Sequence, residues 1–227
     1  MKNDRLNRMV DYVVKFDEKN IDQKYRDYLS QVRAMTGPGI IQILNNLCKF
    51  IDHNGCYLEI GTHRGSTLIG ASLDDRKTMY YGVDTFEGHS GPEESAPFKT
   101  IEEGLIDALD RLTYGNVGYF KQDYLEFLDG KTNLNGQKVQ VYFYDGDHRF
   151  ENQYLGLKHV TDLLDDESIV LIDDSADNDR TAVLASVAKI MADDYRFSFL
   201  REFKPKREEI HGDLWCGMVV LKFERNA

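Results

Sequence analysis

From Cys56 onward the chain alternates short apolar runs with helical stretches, and this alternation constrains the fold more than any other feature. The runs CYLEI, MYYGV, VGYF, VQVYFY and SIVLI are separated by segments of helical character around 66–73, 101–112, 152–164 and 179–192. Such a rhythm predicts a parallel sheet covered on both faces, because each parallel connection needs a crossover long enough to hold a helix. The end of the chain departs from it. RFSFLREF and LWCGMVVLKF follow one another with only the charged loop KPKREEIHGD between them, which predicts a closing antiparallel pair. The expected fold class is therefore α/β: a doubly wound, mostly parallel seven-stranded sheet closed by an antiparallel strand pair, with N-terminal helices.

Residues 1–52 read as helical, with Leu6, Met9, Val10 and Val13, then Ile40, Ile43, Leu44 and Leu47, at helical spacing. Thr36-Gly37-Pro38-Gly39 punctuates the approach to the last of these helices. At 227 residues the chain has room for one domain with extra elements and for a core that needs no staples. Its 28 Lys and Arg against 39 Asp and Glu leave a formal net charge of -11, which argues against a nucleic acid or an anionic membrane as partner. A small or neutral substrate fits this charge better. Cys48, Cys56 and Cys216 are odd in number and form no CxxC pair, so they read as small buried hydrophobes in a reducing compartment. The first residues, MKNDRLNRMV, lack the apolar core of a signal peptide, and no stretch reaches the roughly 18 apolar residues of a membrane span. We expect a soluble cytoplasmic protein.

Two apolar runs end in acids: VQVYFY breaks into Asp145-Gly146-Asp147-His148, and SIVLI into Asp173 and Asp174. Neighbouring strands of an open parallel sheet end on the same edge, where ligands bind, so these acids can converge. Hard oxygen ligands beside a base make a metal-assisted site, whereas a lone aspartate often only punctuates a strand end. The first run leads into Glu59-Ile60-Gly61-Thr62-His63-Arg64-Gly65-Ser66-Thr67. Gly61 can take a conformation other residues resist, Gly65 lets the next helix pack close, and Ser66 is placed to cap it. This is not GxGxxG. Even so, MYYGVDTF ends in Asp84, twenty-three positions after Gly61, where an acid can accept both ribose hydroxyls. A carboxylate at Glu59 suits the ammonium and sulfonium of S-adenosylmethionine better than the pyrophosphate of a dinucleotide. Thr62 beside Gly61, Thr85 beside Asp84, and Asp145 fall in the same cofactor set. Asp123 could lie near an adenine amino group, or cap a helix over Tyr124–Leu128.

The order of ExGxxxGxS, an acid ending the second strand, DGDH, DD and the closing antiparallel pair resembles the class I S-adenosylmethionine-dependent methyltransferases. More narrowly, VDTFEG (83–88), YDGDH (144–148) and IDDS (172–175) are similar to the macrocin and mycinamicin type of metal-dependent O-methyltransferases of sugars and natural products. The resemblance spans roughly residues 37–223. It implies a Rossmann-like methyltransferase domain over 53–227 and an N-terminal extension over 1–52 that acts as a lid or in dimerisation. It also implies that Asp145, Asp173 and Asp174 hold Mg²⁺ (or Mn²⁺ or Ca²⁺), with His148 as general base. A bound cation would orient a hydroxyl and lower its pKa, and His148 would take the proton as the oxygen attacks the methyl group in line. Three carboxylates repel one another without a cation, and all-oxygen ligation favours these ions over Zn²⁺.

Some residues carry a second reading. Asp147 could be the base, or replace Asp145 as a ligand, leaving His148 to contact substrate. His63 and Arg64 read as exposed loop residues, and Trp215 as a core or sheet-face residue. Glu87–Lys99, rich in Gly, Pro, Ser and Glu, reads equally as a lid that brings in His89 or as a solvated loop. The expected activity is methylation of a hydroxyl on a small sugar or natural-product acceptor, by a chain that pairs as a homodimer. Rival readings are a metal-independent methyltransferase, an NAD-linked oxidoreductase, which Glu59 argues against, and a non-catalytic binding protein.

Overall fold

The computed structural model describes residues 3–87, 100–130, 134–176, 180–205 and 212–226. The apolar runs become strands β1 (Gly55–Ile60), β2 (Met79–Asp84), β3 (Val117–Lys121), β4 (Lys138–Tyr144), β5 (Leu164–Asp173), β6 (Phe197–Phe203) and β7 (Met218–Glu224). The chain opens with helices α1 (Asn3–Lys15), α2 (Gln23–Leu29) and α3 (Pro38–Cys48). It then interleaves α4 (Ser66–Ala71), α5 (Ile101–Leu112), α6 (Tyr124–Asp129), α7 (Phe150–His159) and α8 (Arg180–Asp193) among the strands. All seven strands form one sheet in the order β3-β2-β1-β4-β5-β7-β6, with β7 antiparallel to both of its neighbours and the other pairs parallel. This is the expected fold class. The strand order runs outward in opposite directions from β1 and β4, so the crevice beyond their carboxyl ends is the topological switch point where such sheets bind ligands.

Burial on both faces explains why the central strands read as continuous apolar runs. Cys56, Leu58 and Ile60 of β1 pack with Tyr142, Tyr144, Val170 and Ile172 beneath Leu157 of α7 and Val183, Val187 and Ile190 of α8. On the other face Tyr57, Val141, Phe143, Ile169 and Leu171 lie beneath Leu6, Met9 and Val13 of α1 and Ile40, Ile43, Leu44 and Leu47 of α3. The first helices therefore supply one cover of the sheet, each large side chain contributing about 1.5–3 kcal/mol of burial. Arginines fasten α1 at both ends. Arg5 donates to Asp52 at 2.5 Å, to Asp165 at 3.0 Å and to the Glu167 carbonyl at 2.7 Å. Arg201, on β6, donates to the Val13, Val14 and Phe16 carbonyls at 3.0 Å each and to Glu18 at 2.7 Å, satisfying carbonyls that a helix end leaves open.

Three boundaries differ from expectation. β5 starts at Leu164, ahead of the apolar run, because its charged opening is satisfied sideways: Asp165 accepts from Arg5 and Gln140, and Asp166 pairs with Arg225. The helix before it ends correspondingly early, at His159, followed by a 3-10 turn over Val160–Asp162. β7 starts at Met218 rather than Leu214, since Trp215 and Gly217 adopt positive φ values of 47° and 81° in a turn. The expected lid lies almost wholly outside the described residues, and His89 with it. Among the described residues no helix is long and apolar enough to cross a membrane.

Candidate active site

The carboxyl ends of β1, β2, β4 and β5 meet at the switch point. Gly61 sits where β1 leaves the sheet, its N–H donating to the Val83 carbonyl at 2.9 Å, while the Asp145 N–H donates to the Ile60 carbonyl at 2.8 Å. Its φ is 88°, and a Cβ there would fall 1.9 Å from the Asp145 carbonyl oxygen, so only glycine allows this approach. Asp84 accepts the backbone N–H groups of His63 and Phe86, both at 2.7 Å, and so pins the loop after β1 to the end of β2. Thr85 accepts from the Glu87 N–H at 3.4 Å. Thr62 turns inward against Gly82, where a Cβ would meet its hydroxyl oxygen at 2.3 Å, and that oxygen is buried without a hydrogen-bond partner.

Several predicted roles change once the geometry is known. Ser66 is not the cap of α4. Gly65 occupies the N-cap with a φ of 78° and no side-chain bond, and Ser66 is the first helical residue, its carbonyl accepting from the Tyr28 hydroxyl at 2.7 Å. Arg64, expected in solvent, is buried at 6% exposure. Asp123 caps α6 by accepting from the N–H groups of Leu125 and Glu126 at 2.8 and 3.2 Å, so of its two readings the structure displays the cap. Glu59 is wholly buried on the same face as Tyr57, where it accepts from the Tyr57 hydroxyl at 2.6 Å and the Thr67 hydroxyl at 2.9 Å. Loss of water pushes its carboxyl up to about 8 from the usual 4.5, so it is mostly neutral at pH 7. In this arrangement it steadies β1 and α4 rather than presenting a charge to the loop.

The acids at the ends of β4 and β5 do converge. Oxygens of Asp145 and Asp174 and a ring nitrogen of His148 all lie within 4.8 Å of one another. His148 Nε2 stands 2.9 Å from Asp174 Oδ2 and 3.9 Å from Asp145 Oδ1. Asp173 lies deeper, 4% exposed, with Oδ1 buried and lacking a hydrogen-bond partner. Burial, then the neighbouring carboxylates, holds both Asp145 and Asp173 well above the ordinary range, so the pair retains protons unless a positive charge arrives. Of the expected metal set, Asp145 and Asp174 come together with His148, while Asp173 is not part of that group. Asp147 does not join. It accepts from the backbone and guanidinium of Arg149, with Nε at 2.9 Å from both oxygens, which pulls its carboxyl down to about 2 and makes it a poor base. Arg149, two residues along, went unread in the sequence.

Comparison with known families and structures agrees with this architecture. A profile of the methyltransferase domain matches residues 58–175, just over half the chain, from the middle of β1 to Ser175 beyond the second acid pair. The chain belongs to this methyltransferase-domain family. Comparison with curated proteins yields no match. Among solved structures, an O-methyltransferase from Bacillus cereus in complex with SAH has a TM-score of 0.62 at 13% identity, covering 94% of this chain and 95% of that one. Magnesium protoporphyrin IX methyltransferase from Synechocystis PCC 6803 with bound SAH gives 0.52 at 18% identity, covering 96% and 98%. A TDP-rhamnose 3′-O-methyltransferase of calicheamicin biosynthesis gives 0.55 at 13%, covering 97% and 94%. Likeness at such low identity speaks for the fold: a mostly parallel, Rossmann-like methyltransferase sheet with an antiparallel edge.

Proposed function

We propose that this methyltransferase uses S-adenosylmethionine and a divalent cation to methylate a hydroxyl group of a small sugar or natural-product acceptor, in the manner of the macrocin and mycinamicin enzymes. The observation that carries the reading is the convergence of Asp145, His148 and Asp174 over the buried Asp173 at the switch point of a methyltransferase fold. The SAH in two structural neighbours and the sugar substrate of the third favour the same chemistry. Asp84, already oriented by two backbone N–H groups, keeps further lone pairs for ribose hydroxyls. Asp145, Asp173 and Asp174 would hold the cation. They suit it, because the unpartnered Asp173 oxygen and the proton-retaining carboxyls are relieved by a positive charge. When bound, that cation supplies orientation and acidification of the acceptor hydroxyl. His148 takes the hydroxyl proton, and Asp174, 2.9 Å from its Nε2, stabilises the imidazolium that forms. Net charge -11 favours a small acceptor over nucleic acid or membrane, and we place the enzyme in the cytoplasm as a homodimer.

One observation favours a second reading. The 2.9 Å contact of His148 with Asp174 is complete as it stands, and it is the geometry by which a carboxylate orients a histidine base without a metal. Methyl transfer from S-adenosylmethionine to a panel of hydroxylated sugars and phenols, with and without chelator, separates the two. Activity abolished by chelation and restored by Mg²⁺ is the expected result; activity that survives exhaustive chelation assigns the chemistry to the His148–Asp174 pair alone.

A further inference from the structure

Asp174 sits on a strained backbone, with a φ of 60°. Such a conformation costs a non-glycine residue about 1–3 kcal/mol and persists only when its surroundings impose it. Three hydrogen bonds impose it here. The Ser175 N–H donates to the Gly217 carbonyl at 3.4 Å, and the Ala176 N–H to the Cys216 carbonyl at 2.8 Å. The Arg180 guanidinium, opening α8, donates to the Ser175 carbonyl at 2.7 Å and pairs with Glu202 of β6. Two of the three anchors belong to the turn at 212–217, which is strained in its own right at Trp215, with a φ of 47°.

That turn is held in place by the N-terminal helices. Arg26 of α2 forks onto both carboxylate oxygens of Asp213, at 2.6 and 2.7 Å. The Gly39 N–H, in the first turn of α3, donates to the Asp213 carbonyl at 2.8 Å. Backbone meets backbone here, since a Cβ on Gly37 would fall 2.3 Å from the Asp213 carbonyl oxygen and 2.5 Å from that of Gly212. The ion pair is partly exposed, 42% for Arg26 and 38% for Asp213, and a pair in that setting typically adds less than about 1 kcal/mol to global stability. Its planar, two-point geometry is suited to fixing position.

We infer that Arg26 is a positioning residue for the candidate site: through the turn at 212–217 it sets the segment 174–176, and with it the carboxylate that faces His148. The coupling stands on the hydrogen bonds; its meaning for catalysis rests on the proposed function. The N-terminal helices thereby reach the acids of β5 without touching them.

The test uses the full chain carrying Arg26→Ala, and separately Gly37→Ala. Gly37 has φ -103° and ψ 155°, which alanine adopts freely, so the second variant acts only by pushing the turn away. Amide hydrogen exchange is followed at 172–176, together with the fluorescence anisotropy of Trp215, the chain's only tryptophan and a resident of the turn. Both variants should exchange the Ser175 and Ala176 amides about tenfold faster and lower the Trp215 anisotropy, with protection of β1 and β4 unchanged. Mn²⁺ affinity should fall while S-adenosylhomocysteine affinity holds, because the Gly61 and Asp84 loop is untouched. The reversed pair R26D with D213R should restore both readouts. Unchanged exchange at 175–176 in Arg26→Ala overturns the inference, as does acceleration spread evenly over the sheet. A wild-type chain that binds no Mn²⁺ contradicts the proposed metal site, while the exchange data still decide the coupling.

Discussion

A carboxyl group closed inside an apolar layer, as Glu59 is, ties folding to pH. With its folded value pushed up to about 8 by burial against a usual 4.5, the folded chain keeps a proton that the unfolded chain releases. Stability is then fully present below the unfolded value and declines as pH rises from about 4.5 toward about 8, with a limiting slope near 1.4 kcal/mol per unit. Glu59→Gln should flatten that decline in urea denaturation followed between pH 5 and 9, and an unchanged slope would contradict the burial account. The two candidate bases separate in the same way. His148→Ala should lower methyl transfer by about 10²–10⁴-fold, whereas Asp147→Asn, already committed to Arg149, should change it by only a few-fold. Equal losses in initial rates would contradict the assignment. The facing of Glu59 was available in the sequence, because period-two alternation puts it beside Tyr57, and a central strand covered on both faces hides that side too. The positive φ of Asp174 was not available, because aspartate carries no signal that distinguishes a strained strand end from an ordinary one.

Among the elements, α1 shows how a polar staple finishes what an apolar stripe begins. Leu6, Met9, Val13 and Phe16 are buried against the sheet, and Arg201 closes the end by donating to three carbonyls. Arg201→Ala should cost about 1.5–3 kcal/mol, seen as a lower urea midpoint with an unchanged slope. A midpoint within error of the wild type would show that α1 is held by its stripe alone. The helical spacing of Leu6, Met9 and Val13 made α1 legible, but the role of Arg201, 188 positions from Val13, was not, since long-range partners leave no local pattern. The opening of β5 was missed for a related reason. Asp165-Asp166-Glu167 reads as loop because strand propensity ignores the arginines and the glutamine that receive these acids.

At the scale of the whole molecule, the order of the sheet brings the ends of two strands, with Asp145 and His148 on one and Asp174 on the other, into one site. Strands ending in DGDH and DD were enough to predict that Asp145 and Asp174 meet, because parallel neighbours end on one edge. The depth of Asp173 and the capture of His148 by Asp174 depend on the β5 terminus and its turn, which pattern reading does not reach. Burial and neighbouring carboxylates disfavour the charged forms of Asp145 and Asp173, and a cation that binds only the folded chain would take the place of their protons and stabilise the fold, by about 2.7 kcal/mol at a hundredfold excess over Kd. The most direct test of the central claim is calorimetric titration of S-adenosylhomocysteine and then Mg²⁺ into chelator-treated protein, with Asp174→Ala alongside. The account predicts nucleotide binding in both proteins and a cation site present in the wild type and lost in the variant. Nucleotide binding without any cation site would contradict the metal-dependent chemistry, and no nucleotide binding would contradict the use of S-adenosylmethionine itself.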